Sequence, residues 1–313
     1  MKKWAAVEGT SAAEILHQNA DPFGALSQGI VPAVVLRRQF TASQAAQLVS
    51  LLPPLTQNVS SARGEVGRWW QRNPAYATLG QDIARHGIGF PPAVMAQRSQ
   101  GWEAFYQQQG LSPAIRSMHS ALRELGAGRA VDTGRTAVGG VNVTLTPGLF
   151  RSHGTGNLIH PHFDTLQSHK WFARKCKGQQ SGGSRATKMA ADNAKFVDVY
   201  RFDRLFSAVL VLQRPEPGTD FDVSLYDDEW TDLLGDCSLV GVAHPIGVIF
   251  KSGWNERVRA KQPRSVNVRV DAGDLYIFNS NRVHELHAVR GHPPRVTFGT
   301  FVSHSSVEMR IFA

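Results

Sequence analysis

In the run His-Pro-His-Phe-Asp at 160–164, His162 and Asp164 stand two residues apart. Residues i and i+2 of an extended segment point to one face, so an imidazole and a carboxylate converge there. A second imidazole comes from VHELHAVRGHPPR at 283–295, which carries His284 and, eleven residues on, Arg295. Two imidazoles and a carboxylate on one face of an octahedral ion leave three positions open. That suits Fe(II) chemistry with a bidentate co-substrate and dioxygen. A guanidinium on the adjoining strand can hold a remote carboxylate in a forked, charge-assisted pair. The chain has 12 His, so an HxD triplet alone specifies little. His160 stands four from Asp164, the wrong interval for one strand face, and His287 stands only eight before Arg295. HELH at 284–287 is not HExxH, so a zinc-protease helix is not supported. Asp164 could instead cap a turn.

The elements that must position these residues change character near Gly126. Before it, PAVVLRRQF at 32–40 predicts a short strand. Thr41 or Ser43 then caps a helix over 42–52, which Pro53 and Pro54 stop. Residues 1–30 read as an irregular polar lead-in, and 56–75 show no period, although Trp69 and Trp70 mark a corner. Helical spacing runs through 98–124. After Gly126, short β-type runs recur between Gly, Pro, Asn and Asp. They fall at 141–145, 197–200, 206–212, 221–226, 248–250, 266–270, 274–278, 285–289 and 295–303. Strands of this number and spacing predict a two-sheet sandwich or jelly roll. No Gly-rich strand-to-helix turn matches a nucleotide-binding fold. The basic stretch 168–195, with SGGS inside it, predicts a long loop between strands.

Composition narrows the class. A chain of 313 residues with 42% hydrophobic and 19% charged residues is an ordinary globular protein of one large domain or two small ones. Cys176 and Cys237 are isolated, which excludes a cysteine zinc site and a disulfide scaffold. The opening MKKWAAVEGTSAAEIL is interrupted by Glu8 and Glu14 and is no signal-peptide core. No apolar run reaches the length of a membrane span, so no membrane partner and a cytoplasmic location are expected. Lys+Arg number 34 against 25 Asp+Glu, a net charge of +9 that favours acidic partners in general. The basic residues are dispersed, and no nucleic-acid-binding signature accompanies them.

The HFD triplet at 162–164 and the stretch GDLYIFNSNRVHELHAVRGHPPRVTFGTFV at 273–302 together resemble the Fe(II)/2-oxoglutarate-dependent dioxygenase superfamily. The second stretch is similar along its whole length to the family's closing pattern of Gly-Asp strand, Phe, a short loop, His, a Val strand, a Gly turn, Arg and a final strand. The resemblance implies a mainly β fold with flanking helices around a double-stranded β-helix core. Residues 135–313 would form that core, carrying the 168–195 insertion, and 1–134 a partly helical region packed on it. It implies Fe(II) on His162, Asp164 and His284, with 2-oxoglutarate and O2 as co-substrates. Arg295 would grip the distal carboxylate of 2-oxoglutarate and Thr297 would contact it. Asn142 and Arg151 are softer candidates to face the 2-oxoglutarate or the substrate pocket, with Asn142 assigned to the former and Arg151 to the latter, and Arg204 is a candidate for the substrate. The implied reaction is decarboxylation of 2-oxoglutarate to succinate and CO2, coupled to hydroxylation of an unactivated C–H bond. Asp164 argues against halogenation, where related enzymes carry a small residue. FSAVLVLQRPEPGTDFDVSLYDDEW at 206–230 looks like the turn of bacterial small-molecule hydroxylases. The implied substrate is a small metabolite, an amino acid or specialised-metabolism intermediate, free or carrier-tethered or phosphorylated. The competing readings are a nucleic-acid- or protein-modifying oxygenase and a non-catalytic metal-binding jelly roll.

Overall fold

The computed structural model describes residues 4–55, 66–73, 75–81, 92–138, 141–165, 198–202, 204–216, 223–229, 240–244, 247–250 and 264–313. The basic insertion at 168–195, Cys176, Cys237 and most of the 227–263 excursion lie outside these residues.

The first thirty residues are more regular than their composition suggests. Val7–Gly9 (β1) pairs in parallel with Ala33–Leu36 (β2), and Ala12–Gln18 (α1) and Pro22–Gln28 (α2) lie between them. Both helices have seven residues, too few to show a period, and their ends carry the information instead. The Ser11 and Asp21 side chains accept the backbone N–H of Glu14 and Gly24, and Gly29 closes α2 in the left-handed region at φ 70°. Ala42–Ser50 (α3) starts at Thr41 in a full capping box, as its sequence predicts.

Trp70–Asn73 (β3) and Tyr76–Leu79 (β4) form a hairpin where no period is visible in the sequence. The helical stretch expected over 98–124 divides into Pro92–Gln108 (α4) and Ser112–Leu125 (α5). Gly110, at φ 72°, breaks it. Ala130–Thr133 (β5), Arg135–Val138 (β6), Val141–Thr144 (β7), Leu149–His153 (β8) and Ile159–His162 (β9) follow. Asp198–Arg201 is a single 3₁₀ turn rather than part of a strand.

The remaining strands are Arg204–Gln213 (β10), Val223–Glu229 (β11), Val240–His244 (β12), Gly247–Phe250 (β13), Ser265–Val268 (β14), Leu275–Asn279 (β15), Arg282–Leu286 (β16), Arg295–His304 (β17) and Glu308–Phe312 (β18). The strand expected at 285–289 begins three residues earlier. Asn279 Oδ1 accepts the Asn281 N–H at 3.0 Å, which makes the turn tight and returns the chain at once.

Two sheets result. The larger runs β1-β2-β15-β10-β17-β8-β4-β3, with β18 beside β17 and β5 beside β18. The smaller runs β14-β11-β16-β9. Eight strands shared between them, β8 to β11 and β14 to β17, follow the winding of a double-stranded β-helix. Strands β8, β17, β10 and β15 lie in the large sheet, and β9, β16, β11 and β14 in the small one. The hairpins β6-β7 and β12-β13 are separate two-stranded sheets. Among the described residues, no helix is long and apolar enough to cross a membrane.

Strand β10 explains why the large sheet is covered on both sides. Phe206, Ala208, Leu210 and Leu212 join Ile15, Phe23, Leu48, Trp102 and Leu122 from the helices in the outer core. Val209 and Val211 face the other way, into a core shared with Val223, Leu225 and Val268 of the small sheet. Each fully buried side chain of this size contributes roughly 1.5–3 kcal/mol. The Gly-Asp pair before β15 is a clamp: Asp274 accepts Arg37 Nη1 at 2.6 Å and the Arg38 N–H at 3.0 Å, tying β15 to the end of β2. A side chain on Gly273 would strike the Phe40 carbonyl, and its φ of 96° also requires glycine.

At the far end of β17, His304 stacks on Phe23 and meets the edge of Phe206. Burial, with Arg129 and Arg204 nearby and only Asp21 opposing, lowers its pKa from 6.5 to about 4. The unfolded chain therefore takes up this proton first. The contribution is full above pH 6.5 and is lost as pH falls toward 4. His304→Phe is expected to make the decline of Tm across that window shallower than in the parent chain. Thermal unfolding in buffers spanning the window checks this, and an unchanged slope would remove His304 as its source.

Candidate metal and co-substrate site

The small sheet brings His162 and His284 together by register. They are direct partners on adjacent strands β9 and β16, with ring centroids 4.2 Å apart. His284 also stands opposite Leu225, which belongs to the core between the sheets, so both imidazoles face inward. Asp164 lies just past the end of β9, where its N–H donates to the Ser280 carbonyl at 2.8 Å. Its Oδ2 is 3.7 Å from His284 Nε2, and the donor atoms of all three residues lie within 4.8 Å of one another.

The tautomers suit a cation. His162 Nδ1 is 2.8 Å from the His160 carbonyl, and His284 Nδ1 is 2.9 Å from the Arg282 carbonyl. A carbonyl only accepts, so each Nδ1 carries a hydrogen, which leaves Nε2 as the nitrogen that can bind a cation. Burial and the neighbouring His162 push His284 well below the usual imidazole range, outweighing the Arg282 carbonyl. It is therefore neutral, as a ligand must be. Two imidazole nitrogens and one carboxylate oxygen at this spacing fit a divalent cation. His160 is exposed and His287 bonds Ser224 Oγ through Nε2 at 2.6 Å, so neither competes.

Across the interior, the large sheet supplies the cationic half. On β17, Val296 and Phe298 join the helix-side core, so Arg295, Thr297 and Gly299 face inward. Arg295 and Thr297 are both buried. Arg295 Nη2 donates to Tyr276 Oη at 3.1 Å. The Tyr276 ring stacks on Phe278 at 5.8 Å, and Phe278 meets the His284 ring edge-on at 4.8 Å. A continuous line of side chains thus runs from the imidazoles to the guanidinium. Tyr276 is not marked by any sequence motif, and Phe278 enters the sequence reading only as the Phe of the closing pattern. The signal for both was the alternation in LYIF, which puts them on one face.

The other sequence candidates part company. Arg151 stands opposite Thr297 on β8 and shares the inner face. Asn142 is exposed on the β6-β7 hairpin, opposite Ala137 and outside both large sheets. Arg204 lies at the other end of β10, opposite His304, and bonds Glu229 at 3.1 Å. It lines an outer groove with Asp21, Arg129 and Glu308. The structure does not bring Asn142 or Arg204 to the three ligands.

By sequence the chain matches no family model and no curated protein. Several solved structures resemble it in shape. An N-substituted L-amino acid dioxygenase in complex with alpha-KG from Burkholderia ambifaria AMMD is 13% identical, with 94% of this chain and 91% of that one covered and a TM-score of 0.48. The epimerase SnoN, in complex with Fe3+, alpha ketoglutarate and nogalamycin RO, is 12% identical, with 93% and 86% covered and a TM-score of 0.44. An oxidoreductase of the 2OG-Fe(II) oxygenase family from Burkholderia pseudomallei is 14% identical, with 94% of each chain covered and a TM-score of 0.38. At such scores these likenesses carry no argument about chemistry, which rests on the residues just described.

Anaerobic calorimetry with Fe(II) is expected to find one ion per chain. His162→Ala, Asp164→Ala and His284→Ala should each weaken it by more than the roughly 10–100-fold that loss of an outer-shell partner brings. Unchanged affinity in any one of them would strike that residue from the ligand set.

Proposed function

We propose that the chain is an Fe(II)- and 2-oxoglutarate-dependent oxygenase acting on an unactivated C–H bond of a small metabolite, with release of succinate and CO2. The observation that carries this reading is the pairing of a two-imidazole, one-carboxylate group on one sheet with a buried arginine on the facing sheet. His162, Asp164 and His284 would hold the iron, which when bound supplies the oxidative decarboxylation and C–H chemistry. The residues of the chain do the positioning. Arg295 binds the distal carboxylate of 2-oxoglutarate, Thr297 adds a hydroxyl beside it, and Tyr276 Oη holds the guanidinium in place. Phe278 fixes the plane of the His284 ring. Val209 and Val211 line the inner face between the two halves and exclude water from it.

Hydroxylation is the outcome the complete ligand set favours, because Asp164 occupies the position that a halide would need. The preferred substrate class is an amino acid or specialised-metabolism intermediate. A cytoplasmic location, where reducing conditions keep iron ferrous, belongs to the same reading.

Fe(II)-loaded protein titrated anaerobically with 2-oxoglutarate should develop a weak visible charge-transfer band that succinate does not produce. Arg295→Ala should raise the 2-oxoglutarate concentration needed by at least about tenfold, the scale of one lost charge-assisted bond, while iron affinity stays within about twofold. No band with iron bound would overturn the oxygenase reading in favour of a metal-binding jelly roll. Equal loss of both affinities would assign Arg295 a folding role.

A further inference from the structure

Among the described residues, Arg151 is placed unlike the other arginines that are not exposed. Arg37, Arg129, Arg282 and Arg310 each face a carboxylate within 3.1 Å. Arg151 is half-buried on the inner face and makes no hydrogen bond or ion pair among the described residues. Its guanidinium reaches diagonally across the neighbouring strand and lies over Gly299, where an added Cβ would stand 2.2 Å from Nη1. Gly299 sits in the middle of β17 with no turn to make. A glycine there weakens the strand and marks a close approach to the backbone. The group that approaches is this guanidinium.

Register locates it relative to the rest of the site. Gly299 stands opposite Val209, and Val209 opposite Tyr276, the partner of Arg295. The backbone beneath the Arg151 guanidinium is therefore on one cross-strand row with the Cα of Tyr276, whose hydroxyl meets Arg295, two strand spacings or roughly 10 Å away.

A count of charge then bears on the substrate. This step rests on the proposed function. A divalent ion on two neutral imidazoles and one carboxylate carries one net positive charge, and Arg295 carries another. The two carboxylates of 2-oxoglutarate match these two. Arg151 remains, and an uncompensated charge in a closing interior is unfavourable. We propose that Arg151, lying in the cleft that Gly299 leaves open, is the specificity-determining residue for a carboxylate on the substrate, so that the enzyme oxidises a carboxylic acid.

The test uses protein loaded with Fe(II) and 2-oxoglutarate under anaerobic conditions. Hexanoate, phenylacetate and N-acetyl-L-leucine are each compared with the matching amide, read by calorimetry and by perturbation of the visible band. At least one acid should bind at least about tenfold more tightly than its amide, the scale of a charge-assisted pair. Arg151→Gln should abolish that preference while leaving 2-oxoglutarate affinity within about twofold, whereas Arg295→Gln shows the opposite pattern. Gly299→Ala, which keeps every charge but displaces the guanidinium, should also lose the preference, and Arg151→Lys should keep part of it. Thermal unfolding of each variant separates these effects from misfolding.

Acids and amides binding alike, no response to any acid, or loss of 2-oxoglutarate affinity in Arg151→Gln to the extent seen in Arg295→Gln would each overturn the proposal. Should the parent protein give no band with 2-oxoglutarate, the oxygenase reading fails by itself. The same acids titrated calorimetrically into that protein and into Arg151→Gln then decide the carboxylate site: dependence on Arg151 supports it, and its absence overturns it.

Discussion

The register of β9 against β16, with His162 directly opposite His284, is the constraint on which the site depends. A shift of one residue would turn either imidazole to the outer face of the small sheet. The Nδ1 bonds to the carbonyls of His160 and Arg282 then fix which nitrogen faces inward. Each carbonyl belongs to the residue two before its histidine, so the strand that places the ring also selects its tautomer. The N–H of Asp164 is held by Ser280, in the turn that starts β16, so the third donor is tied to the same strand pair.

The interior between the sheets has two characters, and the boundary between them makes chemistry possible. Val209, Val211, Val223, Leu225 and Val268 form an apolar core that holds the sheets together. On the same inner face of the large sheet, β17 and β8 place Arg295, Thr297 and Arg151 instead. Charges are tolerated there only with partners of opposite sign, and a low local dielectric strengthens those pairings. Tyr276 and Phe278 belong to both regions: they are part of the apolar core, yet they touch Arg295 and His284. The residues that stabilise the sandwich thereby also set the orientation of the groups at its centre.

The parts of the chain before residue 130 support this interior from outside. Strand β2 extends the large sheet beside β15, and the Asp274 clamp joins the two through Arg37 and the Arg38 N–H. Helices α1 to α5 cover the outer face through Phe23, Leu48, Trp102 and Leu122. With its outer face covered in this way, β10 can be apolar on both sides and β17 can bury Arg295 on its inner side.

Much of this was legible in the sequence, for identifiable reasons. HFD at 162–164 and the His, turn and Arg of 284–295 are short-range patterns, and alternation along a strand predicts which members share a face. The capping box at Thr41 and the strands at 206–212 and 295–303 were readable on the same local grounds. Sheet membership was not, because pairing partners lie far apart in the chain and alternation says nothing about them. The sequence by itself determined the chemical types available: two imidazoles, a carboxylate and arginines on short strands. Only the tertiary structure decided which of them meet. It set Arg204 against Glu229 at the outer end of β10 and Asn142 on an exposed hairpin, and it brought Arg151 over Gly299. The physical reason is cross-strand register, which depends on how two whole faces bury their apolar residues and not on the side chain whose partner it selects.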